Sequence, residues 1–169
     1  MDKAAFSYRR YKNDVVLWVS ERFGPDAFIL DVGAGGGVYY DLLCSRYHNI
    51  DAVEVYKPNI LDYRLLEKYR SVSYRNIVGL EYQPYDLIIF GDVIEHLSVE
   101  DAQKVLEYAS TRCKDMVVAL PYSYPQEAND NEHERHVQDD LTKENIAERY
   151  PMLRLLKGDD VYGYYVKKQ

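Results

Sequence analysis

Apolar residues fall along this chain in two patterns that take turns. Short continuous or alternating runs occur in "AFILDV", "NIDAVEVY", "SVSYRNI", "YDLIIFGD" and "DMVVALPY". Runs of this length, bounded by Gly, Pro and Asp, read as strands, and those apolar throughout read as strands covered on both faces. "SVSYRNI" carries the weakest such signal. Between the runs, apolar positions recur at helical spacing. Residues 1–24 predict an N-terminal helix from Lys3 to Phe23, with Val15, Val16, Leu17 and Val19 as apolar positions and Gly24-Pro25 as its stop. Further helices are predicted over Val38 to Tyr47 and over "PNILDYRLLEKY", with Pro58 in its first turn. "SVEDAQKVLEYASTR" follows, where Ser98 caps the start with Asp101 three residues on. The last helix is "LTKENIAERY", opening near Asp140 or Thr142. "MLRLLKGDDVYGYYVKK" reads as a hairpin around Gly158-Asp159-Asp160.

Strands alternating with helices predict an α/β, doubly wound fold. Its mostly parallel seven-stranded sheet would have helices on both faces and a C-terminal antiparallel hairpin, in a single domain over 1–169. Residues 122–140 have no period and include Pro125, Asn129, Asp130 and Asn131. A loop of that length in a compact domain is expected to serve the active site. Ligands of such sheets bind beyond the carboxyl ends of the strands, where strand order reverses. Asp31 to Gly37, Glu54, Asn76, Gly91-Asp92 and the segment after Leu120 all fall at those ends.

Composition narrows the partners. The net charge of −7 excludes a broad duplex-binding surface, so nucleic acid is not an expected partner. Lys3, Arg9, Arg10 and Lys12 form the one basic cluster, which reads as a solvated helix face. Tyrosine dominates the aromatics, with 18 Tyr against 4 Phe and 1 Trp. Half-buried tyrosines with wet hydroxyls are the expectation, a few of them lining a pocket for a polar ligand with flat faces. Cys44 and Cys113 have no zinc or CxxC spacing and read as reduced thiols. The start "MDKAAF" lacks the apolar core of a signal peptide, and no apolar run reaches the ~20 residues of a membrane span. A cytoplasmic protein without a membrane partner is expected.

The chemistry concentrates in "FILDVGAGGGVYY", where four glycines fall within five residues. Glycine tolerates positive φ and has no Cβ, so such a turn presents bare N–H groups, and the helix after it adds a positive partial charge. Dinucleotides and S-adenosylmethionine are both held this way. The dinucleotide fingerprint GxGxxG requires a third glycine where Val38 stands.

"LDVGAGGG", the acid Glu54 after the second strand, "YDLIIFGDVIEHL" and the closing hairpin together resemble the class I, Rossmann-like S-adenosylmethionine-dependent methyltransferases, from about Phe28 to the C-terminus. The resemblance implies S-adenosylmethionine as cofactor and S-adenosylhomocysteine as product. It implies that Asp31, Gly33, Ala34, Gly35 and Gly37 surround the methionine end, with Asp92 facing it. Glu54 would take the ribose hydroxyls, as a two-oxygen acceptor is able to do. Val55 and Tyr56 would border the adenine. Asn76 stands where the family often has an Asp for the adenine amino group, and Ile77 would pack on the ring.

Methyl transfer is an in-line displacement, so alignment is the main task, and a hydroxyl acceptor also needs a base. His96, His133 and His136 are the catalytic candidates. Glu95-His96 also reads as a pair that packs and caps at a helix start. Asp92, Glu95, His96 and a loop histidine would suit Mn²⁺ or Mg²⁺, which looks like the metal-dependent small-RNA 3′-terminal 2′-O-methyltransferases. Those have Glu where Asp92 stands, and the basic RNA surface is missing, so no metal ligand is assigned. The loop "PYSYPQEANDNEHERHVQDDLT" resembles methyltransferases of small molecules and sugars, with Tyr39, Tyr40, Tyr122 and Tyr124 as stacking faces. The expected acceptor is therefore an oxygen, before a nitrogen, of a small molecule or saccharide. The alternatives are a metal-dependent RNA 2′-O-methyltransferase and a non-catalytic methyltransferase-like binding module. No N-P-P-Y segment follows the fourth strand, which excludes amino-group methylation of DNA bases and glutamine. With no room for a substrate domain, the loop, the N-terminal helix or a second subunit in a homodimer must close the site.

Overall fold

The computed structural model describes residues 10–128 and 131–169. The first helix, α1, is Lys12–Arg22; the earlier part of the expected helix, with Lys3 and Arg9, lies outside the described residues, as do Asn129 and Asp130. The strands are β1 Phe28–Val32, β2 Asn49–Glu54, β3 Ser71–Tyr74, β4 Tyr85–Gly91, β5 Cys113–Pro121, β6 Leu153–Gly158 and β7 Tyr162–Lys167. They form one seven-stranded sheet in the order β3-β2-β1-β4-β5-β7-β6. Every pair from β3 to β5 is parallel, while β7 runs antiparallel to both β5 and β6. The expected fold class is the one found. Strand order reverses between β1 and β4, and that places the ligand crevice.

Why the central strands read as apolar runs is visible in their packing. On one face, Ile29, Ile89, Val117 and Ala119 meet Val15 and Val19 of α1 and Tyr39 and Leu43 of α2 (Val38–Leu43). On the other, Leu30, Ile88, Phe90 and Val118 meet α5 (Val99–Arg112) and α6 (Lys143–Arg149). Alternate residues of each strand enter different cores, so none of them is polar without a purpose. In α5, Ala102, Val105, Leu106 and Ala109 make the buried stripe at helical spacing. Its Ser98 side chain accepts the Asp101 N–H at 3.1 Å, as the capping pattern predicts. Thr142 and Asn145 cap α6 reciprocally.

Several expected boundaries move. The helix expected to reach Tyr47 ends at Leu43, because the Tyr47 side chain turns in and its hydroxyl donates to the Phe23 carbonyl at 3.0 Å. "PNILDYRLLEKY" splits into α3 (Lys57–Asp62) and α4 (Leu65–Lys68) at Arg64, which sits at φ +54°; the break lets Ile60 and Leu65 enter one core. Tyr47, Tyr150 and Tyr164 are fully buried rather than half-buried. Tyr150 meets the cost of burial by donating to the Gln138 side chain at 2.8 Å. Among the described residues no helix is long and apolar enough to cross a membrane.

Candidate active site

The glycine turn after β1 is held by the end of β2. Gly33 N–H donates to the Val53 carbonyl at 2.8 Å, and Gly33, Gly35 and Gly37 all have positive φ. At Gly33 no side chain fits, for two separate reasons. Its φ is +68°, and a Cβ there would lie 2.4 Å from Cγ2 of Val93, on the segment after β4. The turn therefore lies directly against the neighbouring strand end. Gly91, the last residue of β4, is equally constrained: a Cβ would lie 2.3 Å from the Tyr39 ring.

Glu54 is the keystone of the β2 end. It is buried, with one carboxylate oxygen accepting Gly35 N–H at 2.7 Å and the other accepting Tyr56 N–H at 2.8 Å. Asn59 Nδ2 adds a longer contact of 3.4 Å. One side chain thus fixes both the glycine turn and the chain leaving β2. Asn59 shares the oxygen that Gly35 uses, so the acceptor capacity left is a second lone pair on the oxygen that faces Tyr56 N–H.

Asp31 lies beneath the turn. It is 1% exposed; Oδ2 accepts the Tyr69 hydroxyl at 2.5 Å, and Oδ1 has no hydrogen-bond partner. Burial pushes its carboxyl up to about 7, against the lowering effects of the Tyr69 hydrogen bond and of Lys12. Lys12 is itself buried, with Nζ 4.4 Å from the Tyr39 ring centroid.

These elements border one cavity of about 610 Å³, within the usual size range of small-molecule sites. Gly33, Ala34, Gly35, Glu54, Val55, Asn76, Ile77 and Asp92 line it, as do His96, His133 and His136. Asp31, Gly37 and Tyr56 stand outside the lining: Asp31 sits below the turn, Gly37 caps α2 and Tyr56 reaches Glu54 through its backbone. Asn76 Oδ1 accepts the Val78 N–H at 2.9 Å, an Asx turn that sets the bend after β3. Among the expected stacking faces, Tyr39 and Tyr124 line the cavity. Tyr40 instead packs on Tyr69, and Tyr122 shares a hydrogen bond with Tyr165 at 2.7 Å.

The far end of the cavity is built where the 122–140 loop folds back onto the segment after β4. Val137 and Gln138 N–H groups both donate to the Glu95 carbonyl, at 2.9 and 3.0 Å. Gln138 Nε2 donates to the Ile94 and Leu97 carbonyls. The end of the loop is therefore pinned to that segment as a wall, after a short 3-10 turn at Glu132–Glu134. It brings His136 to His96, with ring centroids 4.8 Å apart. His96 Nδ1 lies 3.0 Å from the Arg135 carbonyl and His136 Nδ1 lies 2.6 Å from the Tyr124 carbonyl. A carbonyl only accepts, so each Nδ1 carries the proton, and in the neutral form of either ring the lone pair lies on Nε2. Burial holds His136 below the ordinary imidazole range, which favours that neutral ring.

Glu95 corrects one expectation. It caps nothing: Ser98 does that, while the Glu95 carboxylate is fully buried and neither oxygen has a hydrogen-bond partner. Burial, and then the charge of Asp92, push its pKa well up. Asp92 holds φ +57°, rare for a residue other than glycine, and its Oδ1 accepts the Tyr162 hydroxyl. Tyr162 was not legible as a site residue. It opens β7, and only the antiparallel register, which pairs it with Pro121, carries it to the carboxyl end of β5. Asn59 joins the lining from α3, and Val93 and Gln126 join it from loops.

No protein-family model and no curated protein matches this sequence. Solved structures do match. An S-adenosylmethionine-dependent methyltransferase from Clostridium acetobutylicum ATCC 824 superposes with a TM-score of 0.72 at 16% identity, covering 97% of this chain and 93% of that one. The 1,6-didemethyltoxoflavin-N1-methyltransferase of Burkholderia thailandensis, with 1,6-didemethyltoxoflavin and S-adenosylhomocysteine bound, gives 0.68 at 13% identity over 92% of this chain and 76% of that one. The N-terminal domain of EvdMO1, in the presence of S-adenosylhomocysteine and D-fucose, gives 0.68 at 12% identity over 96% and 84%. Identities this low speak to fold alone, and with the sheet order they do so plainly: the chain has the class I, Rossmann-like fold of the S-adenosylmethionine-dependent methyltransferases.

Proposed function

We propose that this chain is a methyltransferase that binds S-adenosylmethionine and transfers its methyl group to an oxygen of a small molecule or saccharide. The observation that carries the reading is Glu54, whose carboxylate ties the glycine turn to the end of β2 while lining the cavity at the strand-order reversal. The residues present suit the cofactor. Glu54 offers its remaining acceptor capacity to the ribose hydroxyls, with the long Asn59 contact free to give way. In the turn from Gly33 to Gly36 the single Cβ is that of Ala34, which packs into the core, so no longer side chain obstructs the methionine end. Asp31, below that turn, has an unpartnered oxygen toward which a ligand ammonium would be drawn, through the backbone or through water. Asn76 and Ile77 form the adenine wall. When bound, S-adenosylmethionine supplies an electrophilic methyl group on a sulfonium centre.

The chain's own residues then provide the alignment. Asp92, fixed by Tyr162, faces the methionine end from the β4 side. The loop wall with Tyr124, His133 and His136 borders the acceptor end and holds the acceptor against the methyl group. A hydroxyl acceptor would find its proton acceptor among the imidazoles His96, His133 and His136. A soluble saccharide or a flat small molecule fits the mixed lining of tyrosine faces and polar groups, and a sugar, D-fucose, is present with the EvdMO1 domain.

Thermal melts with S-adenosylmethionine, S-adenosylhomocysteine and NAD test the cofactor. An adenosyl ligand at about a hundredfold its Kd adds about 2.7 kcal/mol to the stability. Stabilisation by NAD but by neither adenosyl ligand would sink the reading. Transfer of a labelled methyl group to a panel of phenols, glycosides and amines then identifies the acceptor atom.

A further inference from the structure

Three side chains meet where the loop folds onto the segment after β4. Glu95, His96 and His136 each offer a ligand atom, and those atoms all lie within 4.8 Å of one another. We propose that these three residues form a site for a divalent transition-metal cation. The set is independent of the methyltransferase reading.

Three observations converge on it. The Glu95 carboxylate is fully buried, lines the cavity and has no hydrogen-bond partner at either oxygen. A buried carboxylate in that condition is costly unless it is protonated or meets a cation. Both imidazoles are oriented by their second nitrogens: His96 Nδ1–H donates to the Arg135 carbonyl and His136 Nδ1–H to the Tyr124 carbonyl. This is the outer-shell arrangement that fixes the tautomer of metal-bound histidine and leaves Nε2 as the ligand. Finally, the backbone locks the ligand-bearing segments together, since the N–H of Val137, next to His136, donates to the carbonyl of Glu95, next to His96.

Two imidazoles with one carboxylate favour Mn²⁺, Fe²⁺, Co²⁺ or Zn²⁺ over Mg²⁺ or Ca²⁺, which prefer all-oxygen sites. Ligands about 2.1 Å from an ion lie no more than about 4.2 Å apart, so the set must draw in by roughly half an ångström. Small side-chain rotations of His136, which is only half buried, supply that. Three protein ligands leave positions open to water or to a substrate oxygen from the cavity. With an ion in place, His96 and His136 would act on an acceptor oxygen through it rather than by taking its proton. That consequence alone rests on the methyltransferase reading.

The test uses Co²⁺ alone, added to the chelator-stripped full chain, with neither cofactor nor acceptor present. Visible ligand-field bands and isothermal titration should show one equivalent bound. Glu95→Gln and His136→Ala should each weaken binding at least tenfold, while His48→Ala, at an exposed residue before β2, should leave it unchanged. Near-UV circular dichroism checks that each variant is folded. If Glu95→Gln fails to fold, His136→Ala and His96→Ala decide. No uptake by the wild-type chain overturns the proposal, and so does uptake that folded Glu95 and His136 variants retain in full. Either result leaves the adenosyl-ligand melts, and hence the proposed function, untouched.

Discussion

The carboxylate of Glu54 accepts the backbone N–H of Gly35 at 2.7 Å, so the acid that ends β2 holds the glycine turn that follows β1. Glu54→Ala removes acceptors from two half-buried N–H groups, Gly35 and Tyr56, and each orphaned group costs up to about 1–3 kcal/mol, less where water reaches it. The variant should melt earlier and bind S-adenosylhomocysteine at least tenfold more weakly. Glu54→Gln should not rescue it, because an amide offers one acceptor oxygen where two donors converge. Calorimetric titration with thermal melts checks both; a glutamine variant that binds like wild type would remove Glu54 from the ribose.

Asp31 makes stability depend on pH in an unusual direction. Its folded carboxyl is raised from an ordinary carboxylate value to about 7, with Tyr69, Lys12 and Glu54 as the polar groups acting on it. Between roughly pH 4 and pH 7 the native state therefore binds more protons than the unfolded chain, and stability falls as pH rises through that window. A shift of this size corresponds to about 4 kcal/mol at most. Asp31→Asn keeps an acceptor for the Tyr69 hydroxyl but cannot ionise, so its denaturation midpoint should be flatter with pH and higher than wild type near pH 7. Urea unfolding across pH 5 to 8 measures this, and parallel curves for the two proteins would refute it.

Much of the architecture was legible because strand and helix periods are physically distinct. The apolar runs at Leu87 to Phe90 and at Met116 to Leu120 could only be strands covered on both sides, and they are. The glycine turn and Glu54 were legible because their chemistry sits within a few residues of a strand end. What the sequence withheld depends on contacts across long separations. His136 meets His96 only because Gln138 pins the loop to carbonyls 41 and 44 residues earlier. Tyr162 enters the site through strand register. Glu95 looked like a cap because local spacing allows it, yet Ser98 holds that position and frees the carboxylate.

The proposed function assigns His136 to the acceptor side of the cavity it lines. His136→Ala should therefore lower kcat by about 10²-fold or more, the usual scale for losing a proton-transfer group, with S-adenosylhomocysteine affinity kept within about threefold. Single-turnover kinetics beside equilibrium binding separate the two. Equal losses in both would mean that the variant has disturbed the loop wall.

Ser98 offers a simple control for the fold alone. Its hydroxyl caps α5 by accepting the Asp101 N–H, and Ser98 is not among the residues that line the cavity. Ser98→Ala should cost about 1 kcal/mol. For a chain of this size that lowers Tm by about 2–4 °C. Adenosyl-ligand affinity at a permissive temperature should not change, and a loss there would tie α5 to the site.

Gly33 and Val93 give a test of how closely the turn lies against the β4 end. Gly33→Ala faces two penalties: a left-handed backbone at φ +68° and a Cβ placed 2.4 Å from the Val93 side chain. The backbone penalty is about 1–2 kcal/mol and is independent of neighbours. The clash depends entirely on Val93, so Val93→Ala should relieve it. The double variant should then be less destabilised than the sum of the single ones, by more than the ~0.5 kcal/mol scatter expected for independent sites. Urea unfolding of the four proteins closes the cycle. Strict additivity would mean that the turn and the β4 end do not touch, and that the cavity is not bounded by this contact.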